Sequence, residues 1–138
     1  MNIIVDFNGI GYVAATFPVD SNTQTYLKTN HLNAQTGNVD INGKNLGVTL
    51  NTDGTIGIPS SEAASLLGII IAYEQDGFAS VQIKGGIDNV PTASALTSGV
   101  KGLKVNSSGK IVAAESGGKE VTVAKPSSAD SLFASIIL

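Results

Sequence analysis

The chain has 138 residues, a formal net charge of −3 and no cysteine. A domain of this length buries about two thirds of its unfolded surface, and without cysteine it has neither disulfides nor thiolate chemistry. All eight basic residues are lysines, whereas proteins that read phosphates or base edges rely mainly on the forked side chain of arginine. The composition therefore argues against a nucleic-acid partner.

Apolar segments are too short to cross a membrane. The longest, residues 66–73, falls far short of the roughly 20 residues that a spanning helix needs. Residues 1–6 lack a basic start and include Asp6, so we expect no secretory signal. These patterns predict a protein that is made in the cytoplasm and has no membrane partner.

The chain opens with two apolar runs, residues 2–7 and 10–17, on either side of Asn8-Gly9. Asn-Gly suits a two-residue hairpin turn because both residues accept a positive φ. Chain ends fray unless something holds them, so this predicted hairpin either completes the core or presents an edge to a neighbouring subunit. Under the second interpretation the candidate interface residues are Ile3, Val5, Phe7, Tyr12 and Phe17.

Residues 18–45 are rich in Asn, Thr, Gln and Gly. We predict a long polar excursion with two short strands, at 24–28 and 38–41. Long loops in compact domains usually carry function or are disordered, which makes the excursion a candidate binding region. It contains the only histidine, His31, and a lone histidine without cysteine forms neither a metal cluster nor a catalytic pair.

The rest of the chain repeats itself at an offset of 55 positions. Residues 47–56 read GVTLNTDGTI, and residues 102–111 read GLKVNSSGKI. Self-similarity at a fixed offset marks a repeated supersecondary unit. We therefore predict two copies of one β-unit, residues 46–85 and 101–138, joined by a connector over 86–100, after a non-repeated region that comprises the opening hairpin and the excursion.

Each copy is predicted to contain two hairpins. Gly54 and Gly109 are expected in equivalent turns, where glycine accepts a positive φ without strain. The triplet Phe-Ala-Ser also recurs at the same offset, and we expect its aromatic rings, Phe78 and Phe133, to fill the two halves of one core.

The predicted fold class is all-β. Residues 1–138 form a single domain in this interpretation, a small sandwich or barrel built from two duplicated β-hairpin units. Helix is limited to one or two single turns, one within 59–65, where Pro59 offers a helix start, and one near 92–96, between the breakers Pro91 and Gly99.

The chain shows no catalytic constellation. Asp53 and Asp76 each precede a glycine, and aspartate is favoured there because its side chain hydrogen-bonds the turn backbone. No serine lies in a Gly-x-Ser-x-Gly elbow, and no carboxylates are paired for acid–base work. We therefore predict no catalytic residue, no cofactor and no metal, and a structural or binding protein instead of an enzyme.

Residues 67–85, LGIIIAYEQDGFASVQIKG, and residues 102–114 carry a family resemblance. The hairpin followed by a glycine-bounded strand resembles a pattern in capsid decoration (cement) and head-fibre proteins of tailed bacteriophages. The resemblance implies a non-enzymatic protein, often trimeric, that sits on an icosahedral shell and stabilises subunit junctions. Its partner would be the major capsid protein, and its location the surface of the virion.

The leading hypothesis is therefore a virion structural protein that binds the outer capsid surface as a decoration, cement or head-fibre-base subunit. We expect it to be a homo-oligomer, with a trimer favoured. The alternative is a carbohydrate- or cell-surface-binding β-module of a fibre or adhesin. Under the leading hypothesis, deleting residues 1–17 abolishes oligomerisation. Shortening residues 22–40 spares the fold and weakens shell binding, since their neutral polar side chains suit a wet contact.

Overall fold

A computed structural model describes residues 11–138, and these residues are predominantly β-structure, as predicted. The opening run 2–7, its turn at Asn8-Gly9 and the candidate interface residues Ile3, Val5 and Phe7 lie outside the described residues. The elements are β1 (Val13–Pro18), α1 (Ser21–Asn30), β2 (Gly47–Leu50), β3 (Ile56–Gly57), β4 (Ala64–Ser65), β5 (Gly68–Tyr73), β6 (Phe78–Lys84), β7 (Gly86–Pro91), β8 (Gly99–Val105), β9 (Ile111–Ala113), β10 (Lys119–Lys125) and β11 (Phe133–Ile137).

The strands form two antiparallel sheets of matching order, which confirms the duplication. The first sheet runs β1-β6-β5-β2-β3, and the second runs β7-β11-β10-β8, with β9 on the far side of β8. Strand β4 adds to the second sheet by pairing with β8. We call the part from β1 to β6 unit 1, and the part from β7 to β11 unit 2.

The repeat reaches further than the sequence indicates. The predicted connector 86–100 contains β7, which pairs with β11 as β1 pairs with β6. Pro18 lies opposite Phe78, and Pro91 lies opposite Phe133. The prediction of a plain connector with a turn at 92–96 is therefore wrong, because the first strand of each unit has lost its sequence likeness while keeping its backbone pairing.

Each sheet curls until the chain after its first edge strand meets the strand at its opposite edge. Val19, just after β1, makes a parallel bridge with Ile56, and Thr92, just after β7, makes one with Ile111. The N–H of Asp20 donates to Ile56 O at 2.9 Å, and the equivalent bond joins Ala93 to Ile111 at 3.0 Å. Each unit thus wraps around an interior of its own.

The hairpin turns at Gly54 and Gly109 have the same backbone conformation, as predicted. Gly54 and Gly109 have φ values of 87° and 76°, which a side chain would strain. Asn51 and Asn106 open these turns, and each accepts the N–H of the following turn glycine. Gly109 also closes on unit 1, because its carbonyl oxygen accepts the N–H of Gly47 at 2.8 Å.

Two apolar clusters fill the units. The cluster in unit 1 comes from its strands, α1 and the loop that follows the helix: Val19, Leu27, Val39, Ile41, Leu46, Val48, Ile56, Ile58, Ile70, Ala79 and Val81. The cluster in unit 2 also receives Leu66 and Ile69 from unit 1. The units therefore interlock through side chains and through the pairing of β4 with β8.

The prediction that Phe78 and Phe133 fill the core is wrong. Their side chains are 44% and 49% exposed. Both begin the last strand of a unit, and alternation along that strand places Ala79 and Val81, or Ala134 and Ile136, inward instead. Their matching environments nevertheless support the duplication, and their truncation would not cost the several kcal/mol of a core aromatic.

The excursion differs most from its prediction. Residues 21–30 form α1, so a strand at 24–28 is wrong. Residues 38–41 form no strand, and only Val39 makes an isolated bridge, to Leu32. Leu27, Val39 and Ile41 are all buried in the cluster of unit 1. Shortening residues 22–40 would therefore remove core side chains, which overturns the expectation that the fold is spared.

The linker after β3 contains no helical turn either. Residues 59–63 are bends and irregular chain, and residues 64–65 extend into β4. Only Ala64 and Ser65 pair with β8, and Pro59 therefore opens a loop that leads into β4 and not a helix.

Candidate functional site

The two candidate interface residues within the described chain have different environments. Tyr12 is 67% exposed just before β1. Phe17 lies within β1 and packs against the cluster of unit 1. Because β1 belongs to the first sheet, deleting residues 1–17 would disturb the fold as well as any oligomer. Point substitutions separate an effect on folding from an effect on oligomerisation.

A polar groove lies between the start of α1 and the loop after β3. It encloses about 330 Å³ and is lined by Asp20 and Asn22 on one side and by Ser60, Ser61 and Glu62 on the other. A neighbouring depression of about 230 Å³ shares the wall and adds Tyr26 and Ser107. We call these two joined depressions the helix groove.

Hydrogen bonds hold one wall of the helix groove in place. Asp20 is the N-cap of α1, and its carboxylate accepts the Thr23 N–H at 2.7 Å. The second carboxylate oxygen accepts from Asn51 Nδ2 at 2.8 Å. The buried Thr23 hydroxyl accepts the Ile58 N–H at 2.8 Å. Helix, hairpin and loop are thereby joined at a single point.

Both walls offer polar groups to solvent. Asn22 on the helix side and Ser60 and Glu62 on the loop side are all exposed, and they combine amide, hydroxyl and carboxylate chemistry. Tyr26 stands half-buried at the end of the groove, where its hydroxyl donates to Ser108 O at 3.4 Å. Amide, hydroxyl and carboxylate groups beside an aromatic ring suit a ligand that carries several hydroxyls.

A second polar cleft surrounds His31. It encloses about 330 Å³ and is lined by Asn30, Asp40, Asn42 and Lys44 among others. Burial, with a smaller contribution from the charge of Lys44, lowers the pKa of His31 below its ordinary value of 6.5. The imidazole is therefore neutral at pH 7, and its ring centroid lies 6.0 Å from that of Tyr26.

The turn aspartates have the structural role that the sequence predicts. Asp53 accepts from the Thr55 hydroxyl at 2.6 Å and from the Thr55 N–H at 3.0 Å. These hydrogen bonds lower the pKa of Asp53. Asp76 likewise accepts the Phe78 N–H at 3.2 Å. Both carboxylates are engaged in their own turns.

Within residues 11–138 no three His, Cys, Asp or Glu side chains gather as a metal site. The helix of the described chain is too short and too polar to span a bilayer. No protein-family model matches the chain, and neither a curated protein nor a solved structure is similar enough to count as a match.

The sequence did contain one signal for the helix groove. Asp20 precedes Ser21 and stands three residues before Thr23, a pattern typical of a helix N-cap. The β-forming residues Thr25 and Tyr26 obscured it. The opposite wall lies 40 positions away in the chain, and no local pattern brings it to the helix.

Proposed function

We propose that this chain is a structural protein of a tailed-phage virion, a homo-oligomer that binds the outer capsid surface as a decoration, cement or head-fibre-base subunit. The resemblance of residues 67–85 to such proteins supports it. The interlocked double β-unit supports it as well, because the two units share one strand order and differ mainly in the segments that connect the strands.

One asymmetry between the units carries this proposal furthest. Val19 and Gly47 are 28 positions apart, whereas their equivalents Thr92 and Gly102 are only 10 apart. The additional chain in unit 1 forms α1 and a loop whose side chains at 33–38 are mostly exposed and uncharged. This segment is the longest difference between the connections of the two units, which makes it the most economical place for a specific contact. Its neutral donors and acceptors suit a wet protein surface.

Binding to shells tests the proposal through one exposed residue of this loop. Gln35→Lys places a charge at the loop tip, and Ser116→Lys places the same charge on an exposed loop of unit 2. We expect the unaltered protein and Ser116→Lys to co-sediment with shells of the same phage's major capsid protein. Gln35→Lys should bind about tenfold more weakly, because a buried unpaired charge costs more than 1 kcal/mol.

If the unaltered protein does not co-sediment with the shells, the capsid proposal is rejected. Equal losses in the two lysine variants would reject the loop as the contact while leaving capsid binding in place. Circular dichroism of each variant verifies that the fold is retained.

The helix groove favours a second candidate, a glycan-binding module of a fibre or adhesin. Its exposed Asn22, Ser60 and Glu62 beside Tyr26 offer the mixture of polar groups and a ring that recognises hydroxylated ligands. A glycan array with the purified protein tests it. Binding that is lost in Glu62→Ala and retained in Glu115→Ala, an exposed glutamate of unit 2, would favour this candidate, and an array without binding would reject it.

A further inference from the structure

The two units retain one exposed aromatic residue at the same position. Phe78 and Phe133 begin the last strand of each unit and belong to neither apolar cluster. Other exposed positions differ between the units, and Asp53, for example, corresponds to Ser108. A single exposed apolar side chain is ordinary on a protein surface. The same ring kept in both units, outside both cores, calls for a reason other than packing.

Each ring lies opposite a proline that both units also retain. Pro18 pairs with Phe78, and Pro91 pairs with Phe133, although β1 and β7 otherwise share little sequence. Cross-strand partners point to the same face of a sheet, and both phenylalanines point outward. Each unit therefore presents a ring and a proline side by side on its outer face. We call each such pair a ring patch.

A carboxylate accompanies each ring patch. In unit 1, Glu74 lies across the hairpin from Phe78, and its N–H donates to Phe78 O at 2.7 Å. In unit 2, the hydroxyl of Ser135 donates to the Asp88 carboxylate at 2.6 Å. Ser135 follows Phe133 by two positions and so lies on the same face of β11. Glu74 and Asp88 are both exposed, so each ring patch combines an apolar plane with a hydrogen-bond acceptor.

We propose that each ring patch is a subsite for an uncharged sugar unit of a glycan. The C–H groups on one face of a sugar ring pack on an aromatic ring, whose negative face attracts them. A carboxylate beside the ring accepts hydrogen bonds from the sugar hydroxyls. Protein interfaces, in contrast, are depleted of Asp and Glu. The combination of ring and carboxylate therefore favours a sugar over a protein partner.

The charges around the ring patches specify an uncharged ligand. In unit 1 a second carboxylate, that of Asp76, accepts the Phe78 N–H at 3.2 Å. In unit 2, Lys125 pairs with Ser135 and offsets the charge of Asp88. An acidic sugar is repelled by the ring patch of unit 1, so a ligand that occupies both patches must be uncharged.

The duplication predicts two subsites on every chain. Neither phenylalanine lines the helix groove, so these subsites are separate from the glycan candidate described there. The inference requires neither that groove nor binding to a shell.

A glycan array of neutral, sialylated and sulfated oligosaccharides, probed with the full chain, tests the proposal. We expect binding to neutral oligosaccharides only. Titration calorimetry with a neutral oligosaccharide that binds on the array should then give two sites per chain. Phe78→Ala and Phe133→Ala should each leave one site, and the double variant should leave none.

Two further variants separate loss of the ring from loss of the fold. Phe78→Leu keeps an apolar side chain and removes the ring, so the sugar should bind this subsite about tenfold more weakly. Val100→Ala truncates another exposed apolar side chain, in β8, and should leave both sites unchanged. Circular dichroism verifies the fold of every variant.

An array without neutral ligands, or a number of sites that the phenylalanine substitutions do not change, would overturn the proposal. Binding that is lost in Glu62→Ala alone would also overturn it and would assign the glycan to the helix groove. Phenylalanine variants that dissociate an oligomer without affecting sugar binding would make the rings a protein contact instead. Sugar binding that follows the phenylalanines and survives Glu62→Ala would support the ring patches and reject the groove.

Discussion

Replacing Leu27 by alanine lowers the free energy of unfolding by about 3 kcal/mol, within the range for a fully buried leucine that leaves a cavity behind. Leu27 has no exposed surface and is the residue through which α1 enters the cluster of unit 1. Apart from Leu27 and the half-buried Tyr26 the helix is polar, so Leu27 is its one fully buried apolar contact with the cluster. Urea denaturation of the variant and the parent protein measures the difference.

Leu32→Ala is the control for this loss. Leu32 follows the helix, and its side chain is 51% exposed, so its truncation should change the free energy of unfolding by less than about 0.5 kcal/mol. Similar midpoints for the parent protein and Leu27→Ala would mean that α1 is not packed on the sheet.

The sheets were predictable because their signals are local. Asn51 to Thr55 and Asn106 to Lys110 contain turn residues whose side chains bond their own backbone, and such turns dictate hairpins whatever surrounds them. The offset of 55 then identified the duplication. Strands β1 and β7 escaped notice as equivalents because an edge strand is constrained mainly by backbone pairing, which leaves its sequence free to diverge.

The helix and the core aromatics were mispredicted for a different reason. Asn, Thr and Ser dominate α1, and these residues are poor helix formers in isolation. Its stability comes from tertiary contacts such as Leu27 in the cluster and the Thr23 hydroxyl on Ile58, and neither contact is visible locally. Phe78 and Phe133 looked like core residues by type, yet alternation along their strands turns them outward.

The helix groove was beyond prediction for a related reason. Its walls come from Asp20 and from Ser60 to Glu62, segments that meet only because the third strand of unit 1 bridges to the chain after β1.

Gly57→Ala is expected to destabilise the protein by about 3 kcal/mol, the sum of a lost helix cap and an unsatisfied buried N–H. A Cβ at this position would overlap the Asp20 carboxylate and would lie 2.6 Å from the Thr23 hydroxyl. Neither group has room to withdraw without breaking its own bonds, since Asp20 holds Thr23 and Asn51 while Thr23 holds Ile58. Thermal or urea denaturation measures the loss, and a weaker helical signal in circular dichroism should accompany it.

The duplication explains why glycine is needed at this place and provides the control. Gly57 pairs with Thr49 as Val112 pairs with Lys104, so unit 2, which has no helix there, accepts a branched side chain at the equivalent position. Gly102→Ala adds the same methyl group to another strand, where the nearest atom is 3.7 Å away, and it should cost less than about 1 kcal/mol. If Gly57→Ala were as stable as Gly102→Ala, Asp20 would have to shift freely, α1 would not depend on its cap, and the wall of the helix groove would be too loose to position a ligand.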